Sequence, residues 1–348
     1  MFNLEAITRK NIWNLKAYSS ARDEFQGKAE VYLDANENPF GNLNRYPDPY
    51  QRSVKERLSV LKGLPVNQVF IGNGSDEVID LCLRIFCEPG KEKALTFVPT
   101  YGMYQVSAAI NDIELLELPL TDDFDIDLEL VQPYLTDASL KVIFLCSPNN
   151  PTGNCLSVER IASIAKAFRG VVLVDEAYID FSTQTSWTEQ LAAYPNLIIS
   201  QTFSKAWGMA AARVGVAYAS SEIIGLFNKV KPPYNISSLN QQAVLTSLDA
   251  LELYERNKAK VLNEREVLLR ELPTIGLVKK IYPTETNFIL VEMLDADTVY
   301  EQLVARGIII RNRSSLIANC LRISVGTQQE NKQLINALKA LSERLVTE

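Results

Sequence analysis

Histidine is absent from this 348-residue chain. Its absence excludes a Ser-His-Asp or Cys-His nucleophile system and removes the commonest zinc ligand. Cysteine is scarce: Cys82, Cys87, Cys146, Cys155 and Cys320 make five, an odd number without paired metal spacing. They read as free thiols in a reducing cytoplasm, and no metal site is expected. No run approaches the ~20 apolar residues needed to span a bilayer. Residues 1–20 mix charges with apolar residues and lack the continuous core of a signal peptide. Positive charge is not in surplus either: 35 Lys and Arg stand against 42 Asp and Glu, a net charge of −7. With the basic residues scattered, neither nucleic acid nor a membrane surface is expected as a partner. Internal repeats and low-complexity linkers are also missing.

What is present is an alternation of short apolar runs with helical patterns, the signature of βαβ units and a mostly parallel sheet. Three runs end in polar clusters. Val69-Phe70-Ile71 leads into Gly72-Asn73-Gly74-Ser75-Asp76-Glu77, where Ser75 or Asp76 can open a helix whose free N–H groups face an anion. Val142 to Cys146 leads into Ser147-Pro148-Asn149-Asn150-Pro151-Thr152-Gly153. Val171 to Val174 leads into Asp175-Glu176-Ala177-Tyr178. Ligands of open parallel sheets sit beyond the carboxyl ends of strands, so these clusters can meet in one crevice.

A fourth strand end carries the lysine. Thr202-Phe203-Ser204-Lys205 is followed, among small residues, by Arg213. A lysine amine can form a Schiff base with the aldehyde of pyridoxal 5'-phosphate (PLP), while a hydroxyl and a planar guanidinium hold its phosphate. Locally, each cluster has a plainer reading. Ser204-Lys205 can be a turn opening a helix, Asp175 a cap, Asn149 to Gly153 a turn and Tyr178 a core aromatic. Gly72-Asn73-Gly74 lacks the full spaced-glycine fingerprint of a dinucleotide site.

The joint pattern resembles the fold-type I PLP-dependent aminotransferases and, within them, the histidinol-phosphate aminotransferase family. The similarity runs nearly end to end, through Leu33-Asp34-Ala35-Asn36-Glu37-Asn38-Pro39, Arg45-Tyr46-Pro47-Asp48-Pro49, Pro99 to Tyr104, Cys146 to Gly153, Asp175 to Tyr178, Ser204-Lys205, Lys231-Pro232-Pro233-Tyr234-Asn235, Glu285 to Phe288 and Cys320-Leu321-Arg322-Ile323. The resemblance implies Lys205 as the Schiff-base lysine and Asp175 as the carboxylate beside the pyridine nitrogen. Asn150 and Tyr178 would face the ring's phenolic oxygen, with Tyr101 over its face. Gly74, Ser75, Asp76, Thr202, Ser204 and Arg213 would form the phosphate cup, completed by Tyr46 from the neighbouring subunit of a homodimer. Arg322 would grip the anionic end of the substrate, helped by Tyr18, Asn36 and Arg311. Between Leu321 and Ile323 on a strand, Arg322 has a plainer reading as a structural ion pair inside the small lobe. Three departures from relatives are Ala210-Ala211-Ala212, where a glycine is common, Val216-Ala217 after Gly215, where an aromatic is, and Ala17-Tyr18, where Pro-Tyr is.

The implied reaction moves an amino group between L-histidinol phosphate and 2-oxoglutarate, giving imidazole-acetol phosphate and glutamate in histidine biosynthesis. Its rivals are an aromatic amino acid aminotransferase, a PLP-dependent threonine-phosphate decarboxylase and a PLP-sensing module without turnover. The expected organisation is an α/β, PLP-transferase fold of type I. A large domain (45–236) with a mostly parallel central sheet is joined to a smaller α+β domain (237–348), with residues 1–44 completing the small one.

Overall fold

The computed structural model describes residues 2–19, 21–25 and 30–345. Seven strands form the large sheet: β1 (Val69–Gly72), β2 (Lys93–Val98), β3 (Glu114–Pro119), β4 (Leu140–Cys146), β5 (Val171–Asp175), β6 (Leu197–Thr202) and β7 (Gly215–Ala219). Their spatial order is β1-β7-β6-β5-β4-β2-β3. Pairing is parallel from β3 through β6, and β7 alone runs antiparallel to both its neighbours. Continuous apolar sequence explains why β4 to β7 sit in the middle, since a strand covered on both faces has no polar side to show. Nearly every residue of these four is buried. Edge strand β3 alternates instead and closes on Pro119, as suits a strand with one unpaired side.

Two apolar layers flank the sheet. On one face lies the helix Gly74–Phe86, whose Val78, Ile79, Cys82, Ile85 and Phe86 are all buried, the helical stripe expected from their spacing. On the other lies Val158–Ala167, capped by the Ser157 side chain and burying Ile161, Ile164 and Ala165.

A second sheet contains β8 (Val278–Ile281), β9 (Phe288–Met293), β10 (Arg311–Asn312) and β11 (Cys320–Ser324), ordered β10-β11-β9-β8 and wholly antiparallel. It has its own core, which includes Leu268, Val291, Leu321, Ile323 and Leu338. The α/β class with a large and a smaller lobe is thus as expected.

The boundaries between lobes differ from expectation. Phe2, Leu4, Ile7 and Ile12 pack into the core of the large lobe, and Arg9 pairs with Glu88 at 3.1 Å. These first residues therefore attach to the large lobe rather than completing the small one; Met1, Ser20 and residues 26–29 lie outside the described residues. The helix Ser238–Leu248 also belongs to the large lobe, through Val244 and Leu248. The chain passes between lobes along the 21-residue helix Leu251–Glu271, so the transition falls inside that helix and not at residue 237. A strand expected over Gly307 to Arg311 is confined to Arg311–Asn312, the residues that pair with β11, while Ile308 and Ile310 pack on the small-lobe core ahead of it.

Candidate active site

The polar ends of β4, β5 and β6 and the start of the helix after β1 open into one cavity of about 210 Å³. Of the residues singled out from sequence, its walls contain Ser75, Asp76, Tyr101, Asn150, Asp175, Tyr178, Thr202, Ser204, Lys205, Arg213 and Arg322.

Asp175 is the last residue of β5 and is buried. Its carboxylate accepts hydrogen bonds from the Tyr104 hydroxyl at 2.9 Å and from the Ala177 amide at 3.2 Å. Burial is the main cause that pushes this carboxyl up to about 6, against the two hydrogen bonds. Tyr104 is itself fixed, its ring stacked on Phe144 with centroids 4.9 Å apart. Among the described residues Asp175 has no ion-pair partner. A buried carboxylate of this kind suits a cationic N–H brought in by a ligand.

At the opposite end, the helix Gly74–Phe86 starts without a side-chain cap from Asn73, which leaves its first N–H groups free for an anion. Arg213, held in the left-handed region at φ 50°, places one nitrogen 3.3 Å from Ser204 Oγ and another 3.4 Å from Asp76 Oδ2. Two glycines make this packing possible. Gly74 does not line the cavity, but a Cβ there would fall 2.6 Å from an Arg213 nitrogen, and one on Gly215 would fall 2.3 Å from the Ser75 amide. The alanines at 210–212 form a single 3₁₀ turn that ends on Arg213. Thr202 Oγ1 accepts from the Ser204 amide at 3.1 Å and fixes the turn carrying Lys205.

Lys205 lies between these ends, its Nζ 5.4 Å from the centre of the Tyr178 ring. Partial burial, followed by the nearby Arg322 charge, lowers its ammonium pKa and so enlarges its nucleophilic free-amine fraction. Tyr101 donates to Asp76 at 3.0 Å, and burial raises the pKa values of both Tyr101 and Tyr178, which keeps their hydroxyls protonated.

The small lobe supplies the remaining wall. Leu321 and Ile323 are buried in its core, so strand alternation turns Arg322 toward the cavity. Its guanidinium donates to Asn150 Oδ1 and lies 5.2 Å over the Phe288 ring. The structural ion pair considered for Arg322 is not formed among the described residues. Arg313, which sequence reasoning did not single out, stands beside it in the cavity wall with Cys146 and Ala177. Tyr104 is a second omission. Both carried a usable signal, since Arg311 and Arg313 are two apart on an extended segment and Tyr104 follows Tyr101 by three at a helix start.

Besides Gly74, four expected residues are not brought into the cavity. Tyr18, Asn36 and Arg311 are exposed and outside its walls; Arg311 sits across the β10–β11 ladder from Arg322. Tyr46 is 49% exposed and stacks on Tyr234 at 4.4 Å.

A buried acid, an amine and an anion cradle in one cleft at the carboxyl ends of a parallel sheet match, group for group, a pyridine nitrogen, an aldehyde and a phosphate. They define an α/β transferase built for PLP. The model of the family described as aminotransferase class I and II matches residues 11–338, and the chain belongs to that family, whose members use PLP. It is 51% identical over 345 residues to a histidinol-phosphate aminotransferase of Christiangramia forsetii, covering 98% of each chain. A histidinol-phosphate aminotransferase of Cytophaga hutchinsonii is 48% identical over 97% of this chain and 99% of its own. Among solved structures, a Sinorhizobium meliloti histidinol-phosphate aminotransferase in complex with pyridoxal-5'-phosphate superposes with a TM-score of 0.78 at 27% identity, covering 86% of this chain and 84% of that one.

Proposed function

We propose that this aminotransferase exchanges the amino group between L-histidinol phosphate and 2-oxoglutarate, yielding imidazole-acetol phosphate and glutamate, as a cytoplasmic homodimer. The observation that carries the reading is the near-50% identity, over almost the whole of both chains, to proteins that bear that name. The cleft supports it, because the substrate wall presents guanidinium groups toward an anionic tail.

When bound, PLP supplies an aldehyde to capture the amine and a protonated pyridine ring to take up electrons from the substrate's Cα. Each surrounding side chain then has a task set by its environment. Asp175 keeps the ring nitrogen's proton in place, and the Tyr104 and Ala177 donors hold the carboxylate in position for it. Lys205 Nζ takes the Cα proton as general base and returns it as the conjugate acid, a role its lowered pKa favours. Asn150 and the protonated Tyr178 hydroxyl orient the phenolic oxygen, and Tyr101 excludes water from one ring face. The helix start at Gly74 and Ser75, with Thr202, Ser204 and Arg213, retains the cofactor phosphate while Asp76 positions Arg213. Arg322 grips phosphate in one half-reaction and carboxylate in the other.

The dimer has its own support. Val31, Leu33, Phe40 and Leu43 are 66–90% exposed on one short segment, an apolar stretch suited to burial by a second subunit. In that assembly Tyr46 serves the partner's phosphate site, and Tyr18 and Asn36 the substrate. Among the described residues no helix is long and apolar enough to cross a membrane.

Steady-state rates with histidinol phosphate, tyrosine, phenylalanine and threonine phosphate test the assignment. Histidinol phosphate should have the highest kcat/KM. Preference for tyrosine or phenylalanine, or release of CO2 from threonine phosphate, would refute it. Mixing Lys205→Ala with Tyr46→Phe chains should create heterodimers with one intact site; a fully active monomer at assay concentration would contradict the shared site.

A further inference from the structure

Arg313 has no place in the chemistry above, yet it lines the cavity beside Arg322. No carboxylate pairs with either guanidinium among the described residues, and the Nε of each is buried without a hydrogen-bond partner. The two carboxylates of the wall are engaged away from this pair. Asp76 faces Arg213, and Asp175 is held by Tyr104 and Ala177. The small-lobe end of the cleft therefore holds two cations without counter-charge, where a singly charged carboxylate would neutralise one. Arg313 is fixed from outside the cleft by its backbone, which donates to the Cys320 carbonyl at 2.9 Å. Burial, and after it the like charge of Arg322 and Arg311, lowers its pKa to about 10, so it is still charged at neutral pH.

We propose that Arg313 is a specificity-determining residue: it binds the second negative charge of a phosphomonoester substrate and so sets preference for the phosphorylated donor over the carboxylate substrates that share Arg322. This rests on the assignment of a phosphorylated donor made above. A phosphate oxygen offers a further acceptor beyond the two that one guanidinium fork can take, and Arg313 supplies donors for it. A carboxylate held by Arg322 has no third oxygen to offer and a single charge, which Arg322 already balances.

The test is Arg313→Gln in the holoenzyme, comparing kcat/KM for histidinol phosphate with that for glutamate. The ratio should fall by about ten- to hundredfold, the usual effect of losing a charge-assisted contact. In the parent enzyme the donor's KM should rise as pH falls through the phosphate's second ionisation, near ~6, and Arg313→Gln should flatten that rise. Arg313→Lys, which keeps the charge and loses the fork, should fall between the two and guards against a folding failure of the glutamine variant. Equal loss for both substrates, or none, would overturn the proposal. Competition by inorganic phosphate against glutamate separates it from the assigned donor. If the parent enzyme ignores histidinol phosphate but loses phosphate inhibition at least tenfold in Arg313→Gln, the donor assignment fails and the role of Arg313 stands. If histidinol phosphate is turned over and neither ratio nor inhibition changes, the reverse holds.

Discussion

The two ends of the cleft treat charge in opposite ways. On the large-lobe side each ionic group comes with protein partners: Asp175 with Tyr104 and Ala177, Arg213 with Ser204 and Asp76. On the small-lobe side Arg313 and Arg322 have no carboxylate among the described residues and each keeps a buried, unpartnered Nε. A permanent guest and a passing one explain the difference. Groups that hold a resident cofactor are oriented in advance, which lowers the reorganisation needed during reaction. Groups that must bind and release two different anions in turn gain by having no internal carboxylate as competitor.

The sharpest way to break this division is to remove the amine between the ends. Lys205→Ala should lower turnover by about 10⁴-fold, the upper range for a positioned general base, with the fold intact. Borohydride reduction of the parent enzyme should attach the cofactor's mass to Lys205, and a label on any other lysine would refute the division at its centre. Next is the prearranged end: Asp175→Ala should lose about 10²–10³ in kcat, comparable with removing one preorganised electrostatic contact. Wild-type turnover at full cofactor occupancy would show that this end is not prearranged for the ring nitrogen. The open end should respond more mildly. Arg322→Lys keeps the charge and loses the planar fork, so histidinol phosphate and glutamate should each weaken by roughly ten- to hundredfold with unchanged thermal stability. A drop in melting temperature with normal binding would make Arg322 structural.

The smallest effect is a dependence of stability on pH in cofactor-free protein. Burial raises the Asp175 carboxyl from 3.8 to about 6. Between those values the folded state binds the proton and the unfolded state does not, so this group's contribution is greatest below about pH 4 and declines as pH rises through about 6. The melting temperature of wild type relative to Asp175→Asn should therefore fall as pH rises across that interval. A flat difference would mean that Asp175 is not desolvated.

The large-lobe end was the more legible of the two in the sequence, for a physical reason. A buried parallel strand is a short apolar run, and its end is announced by the polar residues that follow, as at Asp175, Ser147 and Ser204. The short strands of the small sheet gave weaker signals. β8 reads Val-Lys-Lys-Ile with an exposed middle, and β10 has two residues. Arg313 was missed because it lies just past the two-residue β10, where no alternation pattern marks a face. Tyr104 was missed because its partner, Asp175, is 71 residues away. The attachment of the first helices was misjudged because Leu4, Ile7 and Ile12 show that they need a core without saying which one.

The helix Leu251–Glu271 has a mechanical consequence. Near its start Tyr254 stacks on Trp207 at 4.0 Å, at its middle Val261 and Leu262 press on Tyr178, Phe181 and Phe288, and near its end Leu268 is sunk in the other core. Arg265 clamps the same middle stretch to the carbonyls of Phe181 and Thr286. It is a beam of about 30 Å resting on a fulcrum beneath the ring of Tyr178. A tilt of about 5° would swing an end about 15 Å from that fulcrum by a little over 1 Å. That is the scale on which a guanidinium makes or loses a hydrogen bond, so the stiffness of one rod governs how firmly the cleft can clasp what enters it.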